Sequence, residues 1–258
     1  MNIRKLIGIT GKMQNGKTTF AKGLKYFYEA TTDCEVIILP FAQGLKDLMN
    51  TYFFIKKDGS IEHFLTKKAL KYSFIRLFER LQDEELLPTE DILSPKKNYK
   101  IIQKYLEKYH NKNTSQNERV KLARKIYQQF GTNICRELND DIWVDKVANR
   151  LERYYKEKDR DLIVIIDDVR FQNELDFILS YSEGYILNID TEYPKHTPKH
   201  LSEELSYDII MGLDDYYDEY GTYFINVRWE RVKDKYLESY VIERTREIIN
   251  YNNGLLLC

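Results

Sequence analysis

Short apolar runs separated by stretches with helical spacing dominate the two ends of this chain, and a long, more polar helical pattern fills its middle. Leu6-Ile7-Gly8-Ile9-Thr10 is the first run. It ends in a glycine-rich turn, and from Thr18 to Phe27 apolar residues recur at helical intervals, so the order is strand, loop, helix. Cys34-Glu35-Val36-Ile37-Ile38-Leu39 is a second run, closed by Pro40 and β-branched enough for a buried parallel strand. Leu162-Ile163-Val164-Ile165-Ile166 is the most hydrophobic stretch and ends in two aspartates. Gly184 to Ile189 and Thr222 to Val227 are further runs of the same kind. Strands alternating with helical patterns predict an α/β fold, a three-layer sandwich with a five-stranded parallel sheet covered on both faces.

The residues between the second and third runs far exceed a simple crossover. They predict a helical insertion, 47–125, within a single domain spanning 1–258. From 66 to 87, Leu70, Phe74, Leu77 and Leu81 stand at helical spacing, after which Pro88 and Pro95 bound a turn-rich passage. Asn111 to Asn117 is polar. There Ser115 and Glu118 have the spacing of a capping box and announce a helix from about residue 117. Lys233 to Ile249 has the pattern of a last amphipathic helix. No internal repeat or low-complexity linker interrupts the order.

Composition narrows the class. The 258 residues are 43% hydrophobic, and no apolar run approaches the ~18 residues of a membrane span. A soluble protein with no membrane partner is expected. Met1 to Ile7 leads directly into a strand, without the apolar core and cleavage site of a secretory leader, so the expected setting is the cytoplasm. Cys34, Cys135 and Cys258 are far apart, with no Cys-x-x-Cys pair, and are read as buried or free thiols. The net charge of −1 lacks the basic excess of a protein whose main work is gripping nucleic acid, so no nucleic-acid polymer is expected as a partner. A small phosphorylated ligand needs only a few well-placed cations.

Gly11-Lys12-Met13-Gln14-Asn15-Gly16-Lys17-Thr18 supplies the candidate chemistry. It fits G-x-x-x-x-G-K-[ST], the P-loop pattern, and lies after a strand and before a helix as the mechanism requires. Glycines let successive backbone amides turn toward phosphate oxygens, and the helix N-terminus adds its dipole. Lys17 would reach the β- and γ-phosphates of ATP, and Thr18 would offer its hydroxyl to Mg²⁺. Gly11, Asn15, Gly16, Lys17, Thr18 and Thr19 are the nucleotide-binding candidates, against the alternative of a chance match in a surface loop.

Asp167 and Asp168 close the third run, where such a fold places a magnesium-holding carboxylate. A solvated strand end or a helix cap is the alternative. Arg170 leaves the same strand end on the ligand side of a parallel sheet, where its planar fork could neutralise a moving phosphoryl group or, equally, form a surface ion pair. Trp143, within Asp141-Ile142-Trp143-Val144, reads as core on its own. Gly131-Thr132 can mark a helix junction. His196 and His200 have helical metal-ligand spacing, but Pro198 between them argues against zinc. Tyr216 and Tyr217, among Asp214, Asp215, Asp218 and Glu219, read as a solvated acidic loop.

Taken in order, the P-loop, Pro40-Phe41-Ala42-Gln43-Gly44-Leu45-Lys46, Gln129-Phe130-Gly131-Thr132 with Arg136 and Trp143, Asp168-Val169-Arg170-Phe171-Gln172-Asn173-Glu174 and His200-Leu201-Ser202-Glu203 resemble the bacteriophage deoxynucleoside monophosphate kinases. That family is similar to adenylate kinase in fold and transfers the γ-phosphoryl of ATP to a deoxynucleoside 5′-monophosphate. The resemblance implies ATP and Mg²⁺ as cofactors, a dNMP as the small-molecule partner, a homodimer, and the host cytoplasm if the source is viral. It implies that Lys17, Asp168 and Arg170 are catalytic, with Thr18 and Asp168 on the metal. Asp168, Arg170 and Glu174 would then sit at the acceptor and transfer site, with Trp143 along the base or sugar pocket. Phe41, Lys46, Gln129, Thr132 and Arg136 belong to the matching segments and complete the acceptor set. An inserted-helix arginine would grip the acceptor phosphate, Arg76 first and Arg80 behind it. Many members of that family have Asp where this chain has Thr18, and the polar stretch 88–117 has no counterpart among the matching segments. The rival readings are a P-loop kinase of another small acceptor, such as dephospho-coenzyme A or a polyol phosphate, and an ATP-hydrolysing switch or motor subunit.

Overall fold

A computed structural model describes residues 3–11, 15–88, 95–157, 160–190 and 224–228, together with 243, 246 and 247. The segments Lys233 to Ile249 and 214–219, and His196 and His200, lie outside this set apart from those isolated positions. The fold is α/β with a parallel sheet. Its strands are β1 (Ile3–Thr10), β2 (Glu35–Ile38), β3 (Leu162–Ile166), β4 (Gly184–Asp190) and β5 (Phe224–Arg228), in the order β2-β3-β1-β4-β5. Every pairing is parallel, with Leu6 opposite Val164 on one side of β1 and Gly184 on the other. Helices α1 (Lys17–Thr31), α2 (Phe41–Phe53), α3 (Lys67–Asp83), α4 (Pro95–Tyr109) and α5 (Gln116–Phe130) follow β1 and β2. A π-helical turn (Gly131–Arg136), α6 (Ile142–Glu157) and α7 (Gln172–Leu179) complete the described helices.

Contacts divide the chain into two compact units, 1–41 with 149–258, and 42–148. In the first, alternate residues explain the unbroken apolar runs. Ile7, Ile9, Ile163, Ile165, Tyr185, Leu187 and Ile189 pack with Phe20, Leu24 and Tyr28 of α1 on one sheet face. The opposite face is covered too: a side chain at Gly8 would strike Ile178 of α7, Ile186 and Val169. A sheet buried on both faces needs apolar residues at every position, which is why its strands read as runs rather than alternations.

The second unit is helical around Phe74, Phe78, Tyr99 and Phe130, whose rings meet at centroid distances of 4.8 to 6.2 Å. Side-chain caps start its helices. Thr66 accepts from the Ala69 amide at the head of α3, and Ser115 accepts from the Glu118 amide at the head of α5. This unit is wider than the expected 47–125 insertion. Leu45 of α2 lies against Gly131 and Lys146 of α6 against Gly44, so the flanking helices share its packing.

Candidate functional site

Strand order alone marks one place on the first unit. The connection after β1 leads to β2 on one side of the sheet, and the connection after the adjacent β3 leads to β4 on the other. Ligands of open parallel sheets bind at such a switch point, outside the carboxyl ends of the strands. Both candidate segments of the sequence, the glycine-rich loop and the Asp-Asp strand end, emerge there.

The loop after β1 is shaped by its glycines. Gly11 has φ of 134°, and a Cβ on it would come within 2.4 Å of the Ile189 carbonyl oxygen, so only glycine fits. Buried Asn15 donates its side-chain amide to that same carbonyl at 2.9 Å, which ties the loop to β4. Gly16 is the N-cap of α1, in the left-handed region at φ 82°. Among the described residues no side chain caps this helix, and its first turn holds no acidic residue. The amides of an uncapped helix start, together with the dipole, favour an anion. Lys17 folds back so that its ammonium donates to the Gly11 carbonyl at 2.5 Å. Thr18 is exposed and Thr19 half-buried on the same turn. Lys12, Met13 and Gln14 lie outside the described residues.

At the end of β3, Asp167 is buried and Asp168 half-buried. One Asp168 oxygen accepts the backbone amide of Phe41 at 2.8 Å, so this carboxylate also anchors the start of α2. Phe41 itself is buried, edge-to-face with Phe177 of α7. The Val169 amide donates to the Ile9 carbonyl at 3.2 Å, fixing the strand end to β1. Arg170 follows, with an exposed side chain.

Glu174 has a structural task that the sequence did not disclose. It is 3% exposed, and one carboxylate oxygen accepts the amides of Arg170 at 2.7 Å and Phe171 at 3.2 Å. The carboxylate thereby caps α7 and holds the Arg170 backbone. Glu174→Ala is expected to cost about 1–2 kcal/mol of stability, read as a lower urea midpoint, because buried amides lose their acceptor. Glu174→Gln keeps an acceptor and should lose less. Were Glu174 chiefly a substrate contact, Gln would instead raise KM for the acceptor at unchanged stability.

The remaining acceptor candidates stand in the second unit. Trp143 is buried, and its indole N–H donates to the Gly131 carbonyl at 3.1 Å. Thr132 and Arg136 belong to the π-helical turn, a rare conformation that is frequent at functional sites. Arg136 is buried and donates to the Asp140 carbonyl at 2.9 Å. Gln129 and Lys46 are half-buried. Arg76 is exposed, with Glu79 at 3.7 Å. Arg80 bonds Glu84 at 2.7 Å, and the other Glu84 oxygen takes Lys146 at 2.8 Å. Burial works to raise the Glu84 pKa, but the bonds from Lys146 and Arg80 outweigh it and hold the carboxyl below its ordinary range. Neither Glu84 nor Lys146 could be found from a motif, since they are joined only by folding.

No family model matches the chain. Its sequence is 34% identical over 115 residues to the "Putative deoxynucleotide monophosphate kinase" of Acanthamoeba polyphaga mimivirus. The match covers 40% of this chain and 59% of that protein. By sequence, this chain is similar to a nucleotide kinase. A nucleotide kinase needs anion-binding amides and few protein ligands for its metal, and the site can be tested against both demands. The uncapped start of α1 meets the first. Among the described residues no group of three or more His, Cys, Asp or Glu could hold a metal ion by itself. Magnesium bound mainly through phosphates and water requires only one or two protein oxygens, so the donor set fits. Among the described residues no helix is long and apolar enough to cross a membrane.

Proposed function

We propose that this protein is an ATP-dependent kinase of deoxynucleoside 5′-monophosphates and that the loop from Gly11 to Thr18 is its P-loop. The observation that carries the reading is the start of α1. Gly16 is left-handed there, among the described residues no side-chain hydrogen bond caps the helix and its first turn holds no acid, and the Lys17 ammonium rests on a loop carbonyl it can exchange for a phosphate oxygen. Such a terminus is an anion site by construction.

The γ-phosphoryl group passes in line to the acceptor phosphate, with no covalent enzyme intermediate, so positioning and charge neutralisation suffice. The loop amides and Lys17 orient the β- and γ-phosphates, and Arg170 meets charge on the moving group. Thr18 and Asp168 would hold Mg²⁺, which neutralises phosphate charge when bound. Asp168 can do so while one oxygen keeps the Phe41 amide, because a carboxylate has several lone pairs. On the acceptor side, Phe41, Lys46, Arg76, Arg80, Gln129, Thr132, Arg136 and Trp143 carry over from the family resemblance, and Glu174 contributes by fixing the Arg170 backbone.

The test is a panel in which ATP and Mg²⁺ are offered with each common dNMP and NMP, dephospho-coenzyme A and a polyol phosphate. The expected result is ADP formed only with a deoxynucleoside monophosphate, in equal amount with the diphosphate. ADP formed as fast with water would replace this reading with an ATPase. Turnover with another acceptor would keep the P-loop and move the substrate.

A further inference from the structure

The net charge of −1 conceals a strong segregation. Residues 95–130, the α4–α5 hairpin, hold ten Lys and Arg against two Glu, a net +8, so the rest of the chain carries −9. Both acids are already engaged, Glu107 with Lys67 and Glu118 with Lys108. Lys96, Lys100, Lys104 and Lys108 recur every fourth residue on α4 and are all exposed, which sets successive ammoniums about 6 Å apart along the helix. On α5, Lys121, Arg124 and Lys125 are exposed, whereas Arg119 is buried and bonds the Tyr109 carbonyl. The two rows meet at one half-buried ring. Lys104 of α4 lies 4.9 Å from the Tyr105 centroid, and Lys125 of α5 lies 5.9 Å from it. The hairpin therefore presents rows of cations on both sides of an aromatic crease.

We infer that this face of the α4–α5 hairpin binds the phosphate backbone of a nucleic acid, without reading its sequence. Like charges so closely spaced repel one another, and a polyanion relieves that repulsion while releasing its condensed counterions. The surface lacks what other anionic partners need. An anionic membrane would require large apolar residues flanking the cations, and a protein interface would require buried apolar anchors. Of the exposed large hydrophobics among the described residues, Tyr26, Phe64, Tyr72 and Val120, only Val120 stands on this hairpin. A backbone-tracking site needs neither, and the lysines of the two helices already converge on Tyr105. The inference does not rest on the kinase reading.

Fluorescence anisotropy with a labelled thirty-nucleotide oligo-dT and a mixed-sequence duplex, at 50 and 200 mM salt, tests it. Binding should be measurable at the lower salt and fall about 50-fold at the higher, the loss expected if four single-strand phosphates are neutralised. The variant Lys100→Glu/Lys104→Glu/Lys121→Glu/Lys125→Glu should abolish binding while leaving kinase turnover unchanged. A milder Lys104→Gln/Lys125→Gln pair, with circular dichroism as the check on folding, should weaken binding at least fivefold. The control Lys22→Glu/Arg150→Glu/Arg153→Glu, which reverses exposed cations elsewhere, should retain it. No binding at 50 mM salt overturns the inference, as does equal loss in the control. Retention on phosphatidylserine vesicles without oligonucleotide binding overturns it in favour of a membrane surface.

Discussion

Lys17→Ala is expected to lower phosphoryl transfer by about a thousandfold while the protein stays folded. The ammonium is the one side-chain cation carried by the loop itself within the described residues, and it already sits on the Gly11 carbonyl at 2.5 Å, next to the uncapped start of α1. Its loss leaves charge on the transferring phosphates to be met by amides alone. Folding should be little affected, because Lys17 is only half-buried and the side chains of α1 that fill the core are Phe20, Ala21, Leu24, Phe27 and Tyr28. Steady-state turnover with ATP and a dNMP, beside a thermal melt of the same preparation, checks both halves. Near wild-type turnover in a folded variant would remove the loop from the chemistry.

The second large effect concerns Arg170. Charge accumulates on the equatorial oxygens of a moving phosphoryl group, and a fixed guanidinium can meet it without reorganising solvent. Here the backbone is fixed twice, by Glu174 on the Arg170 amide and by the Val169 amide on Ile9, while the side chain is exposed at the carboxyl end of β3. Arg170→Ala should lower kcat by at least about a hundredfold with ATP binding nearly unchanged. Stability should move by no more than about 0.5 kcal/mol, as for other exposed positions. Lys should rescue poorly, because a point charge cannot reproduce the planar fork. If only KM for the dNMP rises, Arg170 anchors the acceptor equally in ground and transition states. The catalytic arginine is then to be sought among Arg76, Arg80 and Arg136.

Legibility differed between the two halves of the site. The glycine-rich loop was readable because its requirements are local: a strand, glycines where the chain turns left-handed, a lysine at the helix start. The strand end was readable only in part. Asp168 and Arg170 could be placed by position, yet nothing near them in sequence says that Asp168 takes the Phe41 amide or that Glu174 is spent on two backbone amides. The Asp168–Phe41 bond joins segments that meet only after folding, whereas the Glu174 bonds reach back to amides three and four residues away and depend on how α7 starts. The acceptor candidates were the least legible, since Arg80 and Arg136 look alike as letters, while the fold exposes one beside Glu84 and buries the other beside Asp140.

By itself the sequence determined what short-range physics determines: which runs are buried strands, where a helix starts on Ser115, and that Gly11 to Thr18 connects a strand to a helix. The tertiary structure alone decided the rest. Strand order β2-β3-β1-β4-β5 creates the switch point at β1 and β3, and no local propensity encodes which strands become neighbours. It decided that Gly11 must be glycine because a carbonyl from Ile189 lies against it, and that Asn15 is a tether to that same carbonyl. It also decided that Lys104 of α4 and Lys125 of α5 converge on one ring, where the net charge had led to no nucleic-acid partner being expected. In each case the deciding contact spans residues distant in the chain, and such contacts acquire energy only once the intervening chain has folded.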